Sequence, residues 1–151
     1  MATLEQRSAD RTRAGHHVRL ADLRSHLVVL ACAISAGIHA ALVPGHFGEG
    51  TPPGLGFAAA TVALTGTVLW LTWRPSSTFA IAVAVVTLSG LLVSYALAIT
   101  TGVPLLHPHA EPVEGLALAT KAIEAVGLLA ATSLLGRRVP ITHTRPKGVL
   151  T

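Results

Sequence analysis

The chain alternates long apolar segments with short links that are polar or rich in Pro and Gly. Four apolar segments stand out, at residues 27–43, 55–73, 79–99 and 115–135. A helix needs roughly 17–25 residues to cross the hydrocarbon core of a bilayer, and each segment has that length. The pattern therefore predicts an all-α fold, an integral membrane four-helix bundle.

The links carry the residues that commonly end helices. They read PGHFGEGTPPG, RPSS and TTGVPLLHPHAEPVE in chain order. Because Pro and Gly mark turns and helix boundaries, we expect the first helix to end where Pro44 and Gly45 follow the apolar run. The resulting division is a basic, partly disordered arm at 1–25, a four-span membrane domain at 26–136 and a basic tail at 137–151.

Composition favours a lipid environment. Only 12% of the residues are charged and 51% are hydrophobic, whereas soluble domains carry about 25% charged residues. The net charge of +4 would suggest nucleic acid in a soluble protein, but the basic residues flank the apolar segments and aromatic residues make up only 4%. The expected partner is therefore the lipid bilayer, and nucleic acid is not expected.

The basic residues also predict an orientation. Ten of the eleven Lys and Arg residues lie in the N-terminal arm, in the second link at Arg74 or in the tail. Cytoplasmic loops of membrane proteins carry such an excess of positive charge. Both termini are therefore expected in the cytoplasm, with the protein in the plasma membrane and the first and third links facing outward.

Ionisable residues inside apolar segments are the strongest functional signal. Lys121 and Glu124 interrupt the last segment three residues apart, so they share a helix face and can pair. Each charge costs at least about 2.5–3.5 kcal/mol at the centre of a membrane helix. Such residues are retained when they are paired, wetted or functional, and a purely structural ion pair is the alternative interpretation.

A second polar stripe runs along the first segment. Cys32, Ser35 and His39 follow i, i+3, i+7 spacing and should face the bundle interior. A lone membrane histidine can simply bond a neighbouring helix. Combined with the last segment, however, the stripe predicts a polar pocket in the outer half of the bundle. Its expected lining residues are His39, Tyr95, Lys121 and Glu124.

The outward links are rich in imidazole and carboxylate. In the third link, His107 and His109 lie two residues apart in a Pro-rich, extended stretch and would point to one side. Neutral imidazole and carboxylate suit a divalent transition metal such as copper or zinc; a solvated polar loop is the alternative. Haem is disfavoured, because only one histidine lies within a span. The candidate metal ligands are His46, Glu49, His107, His109, Glu111 and Glu114.

Several pieces of the chain resemble a known group of proteins. AGIHAALVPGHFGEG, GLALATKAIEAVG and the connection TTGVPL…EPVE are similar to segments of small, uncharacterised four-span membrane proteins of high-GC actinobacteria. The resemblance covers most of residues 26–135. It implies the four-span topology and carries over no catalytic residue.

Three classes of function remain open at this level. The first is an outward-facing pocket that binds or helps move a metal ion, a proton or a small polar solute. The second is an accessory subunit of a larger membrane complex. The third is a membrane enzyme using His39 and Glu124 as acid and base, which is disfavoured because no nucleophile motif or phosphate loop is present. Small residues at Ala33, Gly37 and Ala41 indicate helix contacts, as in a homo-oligomer or a larger complex.

The predicted orientation can be tested by labelling. Cysteines placed at Gly50 and Ala110 should react with an impermeant thiol reagent in intact cells, whereas a cysteine at Ser76 should not. Labelling at Ser76 alone would reverse the topology.

Overall fold

The part of the chain that the structure describes folds into a bundle of four helices. The computed structural model describes residues 4–102 and 112–136, with side chains from residue 22 onward. The helices are α1 (Leu4–Glu49), α2 (Thr51–Trp73), α3 (Thr78–Thr100) and α4 (Gly115–Gly136). Each contains a stretch long and apolar enough to cross a membrane, which in α1 is Asp22–Glu49. The predicted all-helical fold is confirmed, and all four predicted apolar segments lie within these helices.

Consecutive helices run in opposite directions. α1 packs against α2 and α4, α3 packs against the same two helices, and α1 meets α3 only slightly across the diagonal. The α2–α3 link is short, and Ser77 within it caps α3 by accepting a hydrogen bond from the Ala80 amide at 3.2 Å. We call the end where α1 meets α2 the Gly50 end and the opposite end the Arg74 end.

The structure corrects the expected end of the first helix. α1 continues through Pro44 to Glu49, and the backbone becomes extended only at Gly50. Proline removes a single amide donor from a helix, and apolar membrane helices commonly tolerate that loss. His46 is therefore helical and lies seven residues after His39, on the same face. His39 therefore lies about 15 Å from the end of α1, deeper than it would lie if the helix ended at Pro44.

The interior combines many alanines with a few larger apolar residues, and the outer surface also carries large apolar side chains. Val62 and Val86 are each 72% exposed and Leu129 is 70% exposed. This distribution is what helices packed within lipid require, since small residues let backbones approach and large ones contact acyl chains. The core comprises Val28, Cys32, Ala36, Leu64, Leu71, Ala80, Ile81, Ala84, Leu88, Ala130, Ala131 and Leu134.

A glycine sets the spacing between α1 and α4. A Cβ added at Gly127 would lie 2.6 Å from the Ala31 Cβ and 3.3 Å from a methyl carbon of Leu88. The small residues predicted to mark helix contacts lie elsewhere: Ala33, Gly37 and Ala41 are exposed. Within this bundle they do not pack against a neighbouring helix, because the polar stripe occupies the inward face of α1, so contacts with a second chain stay a prediction.

Gly127→Ala should destabilise the bundle. Forcing α1 and α4 apart costs about 1–3 kcal/mol, more than the helix-propensity gain of up to about 1 kcal/mol. The matched control is Gly90→Ala, because a Cβ at Gly90 meets no atom within 4 Å. Thermal unfolding of the purified protein in detergent should show a loss at Gly127 and none at Gly90. Equal behaviour of the two variants would contradict the close helix contact.

Candidate functional site: a polar pocket at the Gly50 end

A partly open cavity of about 280 Å³ lies at the Gly50 end of the bundle, with walls from all four helices. His39, Tyr95 and Lys121 line it, as the sequence predicted. Glu124 does not line it, because its side chain is fully buried directly behind Lys121. Most of the remaining wall is apolar, so a few polar groups converge within a hydrophobic site, which is the usual composition of a small-molecule pocket.

A chain of polar contacts connects this cavity to the α1–α4 interface. The Ser35 hydroxyl donates a hydrogen bond to Glu124 Oε1 at 2.6 Å. The Lys121 ammonium donates to Glu124 Oε2 at 2.7 Å. Both oxygens of the buried carboxylate are therefore paired, one across the helix interface and one within α4. The predicted Lys121–Glu124 contact is present, and Ser35 is its additional partner.

The contacts of His39 identify its tautomer. Its Nδ1 lies 2.8 Å from the Ser35 carbonyl oxygen, which can only accept, so Nδ1 carries a proton. The Ser35 hydroxyl lies 3.3 Å from the same nitrogen and gives its own proton to Glu124. In the neutral ring Nε2 is then an acceptor, and no residue in the described part of the chain bonds to it. The imidazole thus brings an unpaired lone pair to the cavity wall.

Lys121 connects the polar chain to the aromatic wall. Its ammonium nitrogen lies 5.7 Å from the centroid of the Tyr95 ring, within the range of a cation–π contact. The Lys121 side chain retains 14% exposure, whereas Glu124 has none. The Tyr95 hydroxyl is buried and has no hydrogen-bond partner among residues 22–102 and 112–136. A buried hydroxyl without a partner is costly.

Phe57 contacts both His39 and His46 of α1 and was missed by sequence analysis. Its ring stacks on His46 with centroids 3.6 Å apart and tilts against His39 at 5.3 Å. His46 Nδ1 is 3.0 Å from the Leu42 carbonyl oxygen, one helical turn earlier. No periodicity in α2 marked Phe57. Ser35, by contrast, lies in the stripe with His39, and that position could have identified Ser35 as a partner of Glu124.

The cavity is closed towards the Arg74 end. Val28, Leu64 and Leu88 are fully buried there, in the apolar core. Among the described residues, Thr67 is the buried polar side chain in that half, and its hydroxyl donates to the Ala63 carbonyl oxygen at 2.8 Å. The described side chains therefore form a pocket that ends within the bundle, and no polar path continues from it.

The predicted metal ligands are only partly placed. His46 and Glu114 line the cavity, and Glu49 is exposed at the end of α1. His107, His109 and Glu111 lie outside the described residues. Within the described ranges, no group of three or more His, Cys, Asp or Glu side chains is arranged to hold a metal ion. Metal binding therefore stays a prediction that depends on the third link.

Replacing one member of the buried ion pair should destabilise the protein more than replacing both members. Lys121→Leu leaves the Glu124 carboxylate buried without its cation, at a cost of about 3–5 kcal/mol, and well-packed apolar replacements of both residues recover much of that loss. Thermal unfolding should therefore rank Lys121→Leu below the double variant Lys121→Leu with Glu124→Leu. Glu49→Leu, which removes an exposed carboxylate, is the control. If Lys121→Leu unfolds like the wild type, the charge is not buried.

Comparisons with known proteins identify no relative of this chain. No protein-family model, no curated protein and no solved structure matches this chain. The resemblance to small four-span proteins of actinobacteria therefore stays a prediction.

Proposed function

We propose that this chain is a multi-pass plasma-membrane protein that binds a small solute, partly apolar and partly polar, in an outward-facing pocket. One observation carries the proposal: the cavity at the Gly50 end has an apolar wall interrupted by His39, Tyr95 and Lys121. Such a wall suits a solute with an apolar body and one polar head.

The closed floor of the cavity favours binding over conduction. A channel needs a continuous polar or wetted path, whereas the Arg74 half is packed with apolar side chains. Moving a solute across the membrane would require the helices of that half to separate. Among the ligands considered, a small solute also fits better than a metal ion, since the described residues contain no metal-ligand cluster.

The apolar surface and the charge asymmetry support the membrane placement. Large apolar side chains cover the outside of the bundle. Arg74 lies at the end opposite the cavity, while Glu49 and Glu114 lie at the cavity end. The positive-inside rule then puts the Arg74 end and both termini in the cytoplasm, and the cavity opens outward.

A second candidate is an accessory subunit of a larger membrane complex, and assembly as a homo-oligomer fits the same observation. It is favoured by the exposed face formed by Ala33, Gly37 and Ala41 on α1, where a Cβ at Gly37 would meet no atom within 4 Å. Small residues at such spacing let another helix approach closely in a membrane. This role is compatible with a solute pocket, because the two surfaces lie on different faces of α1.

Filling the cavity tests the binding proposal. A thermal-shift screen of small organic acids, amines, alcohols and amides on the purified protein should find compounds that stabilise the wild type. Ala117→Trp should abolish these shifts, because Ala117 lines the cavity. Ala119→Trp, two residues away on an exposed face of the same helix, should preserve them. The double variant Lys121→Leu with Glu124→Leu should fold and yet lose the shifts.

Either of two results contradicts the proposal: no compound stabilises the wild type, or the stabilising compounds act equally on Ala117→Trp. In that event the accessory-subunit role would be the better description.

A further inference from the structure

The buried ion pair is asymmetric with respect to the cavity. Lys121 lines the wall and keeps 14% exposure, whereas Glu124 has none and does not line it. An incoming solute therefore meets the ammonium group of the pair and not its carboxylate. At Lys121 a solute cation would be repelled and an anion attracted, whereas the carboxylate of Glu114 lies seven residues earlier on the same wall.

An anion at Lys121 competes with Glu124 for the same ammonium group. If Lys121 turned to the anion, Glu124 would be left ionised and fully buried, with Ser35 as its remaining hydrogen-bond donor. An uncompensated buried charge of that kind costs several kcal/mol. The cost disappears if the carboxylate takes up one proton, because the group is then neutral.

Resting on the proposed function, that the pocket binds a solute, we propose that its ligand is a small monocarboxylate with an apolar body, bound together with one proton that is taken up by Glu124. The charges balance: one carboxylate and one proton enter, the ion pair of Lys121 with Glu124 is replaced by an ion pair of Lys121 with the solute, and Glu124 becomes a neutral carboxylic acid. No other bond is made or broken.

The hydrogen bonds of Glu124 indicate which of its oxygens would take up the proton. The proton goes to Glu124 Oε2, the oxygen that Lys121 releases, while Oε1 keeps the hydrogen bond from Ser35. The carboxylate of the solute accepts from the ammonium group of Lys121, which is the member of the pair that lines the cavity. The apolar body of the solute then lies against Phe57 and the aliphatic wall.

Other ionisable groups surround the pair, and some of them could compete with Glu124 for the proton. α1 contributes Cys32, His39 and His46, α3 contributes Tyr95, and Glu114, directly before α4, also lines the cavity. α2 contributes the uncharged ring of Phe57. Of these, His39, His46 and Glu114 are competing proton acceptors that line the cavity. The experiment therefore has to distinguish these three groups from Glu124.

Calorimetry on the full chain in detergent tests the proposal with benzoate as the probe. Benzylamine and benzyl alcohol are the matched cationic and neutral controls. Benzoate should bind, and its affinity should fall about tenfold per pH unit as the pH rises, because one proton is taken up with it. Titrations in two buffers of different ionisation enthalpy should report the uptake of about one proton. This measurement needs no variant.

Glu124→Gln imitates the neutral acid and should remove both the pH dependence of benzoate binding and the proton uptake. In this variant Lys121 is already free of its counter-charge, so benzoate should bind at least as tightly as in the wild type and without pH dependence. His39→Gln should keep the pH dependence, and Lys121→Met should abolish binding.

The outcomes separate this inference from the proposed function. Benzoate binding without proton uptake in the wild type, or a pH dependence that persists in Glu124→Gln, overturns the proton coupling and leaves a solute pocket. Binding of benzylamine in preference to benzoate overturns the anion assignment and also leaves a solute pocket. Failure of all three probes, together with an unresponsive thermal-shift screen, removes both proposals.

Discussion

The rest of the structure depends on how one buried carboxylate is compensated. Glu124 has no exposure and sits in a helix that is otherwise apolar enough to cross a membrane. It is tolerable there only because Lys121 and Ser35 donate to its two oxygens. The Ser35 bond in turn requires α1 and α4 to lie close together. Gly127 permits that approach one helical turn further along α4, because it has no Cβ to meet Ala31.

This constraint also explains why the bundle has two unlike halves. Towards the Arg74 end, Ala84, Ala131 and their neighbours form an apolar core, in which the buried hydroxyl of Thr67 bonds within its own helix. Towards the Gly50 end, the polar chain from Glu124 reaches the cavity wall through Lys121 on one side and His39 on the other. The same contacts that stabilise the helix interface therefore set the chemistry of the pocket. Changing the charge state of Glu124 must change both.

The helices were predictable because length and apolar character alone decide whether a segment can span a membrane. The pairing of Lys121 with Glu124 was predictable for a similar reason, since helical spacing puts them on one face. The continuation of α1 through Pro44 was not, because local sequence signals an end there while an apolar helix tolerates the missing donor. Phe57 was also missed, since its contact with His46 depends on how α2 packs and not on any pattern within it.

The central claim is that Ser35 and Glu124 form a direct bond that joins α1 to α4. A double-mutant cycle measures it most directly, using Ser35→Ala, Glu124→Leu and the combination, with the free energy of unfolding determined in detergent for each. A hydrogen bond to a charged group predicts a coupling free energy of about 1.5–3 kcal/mol. Additive effects of the two substitutions, with a coupling near zero, would contradict the account.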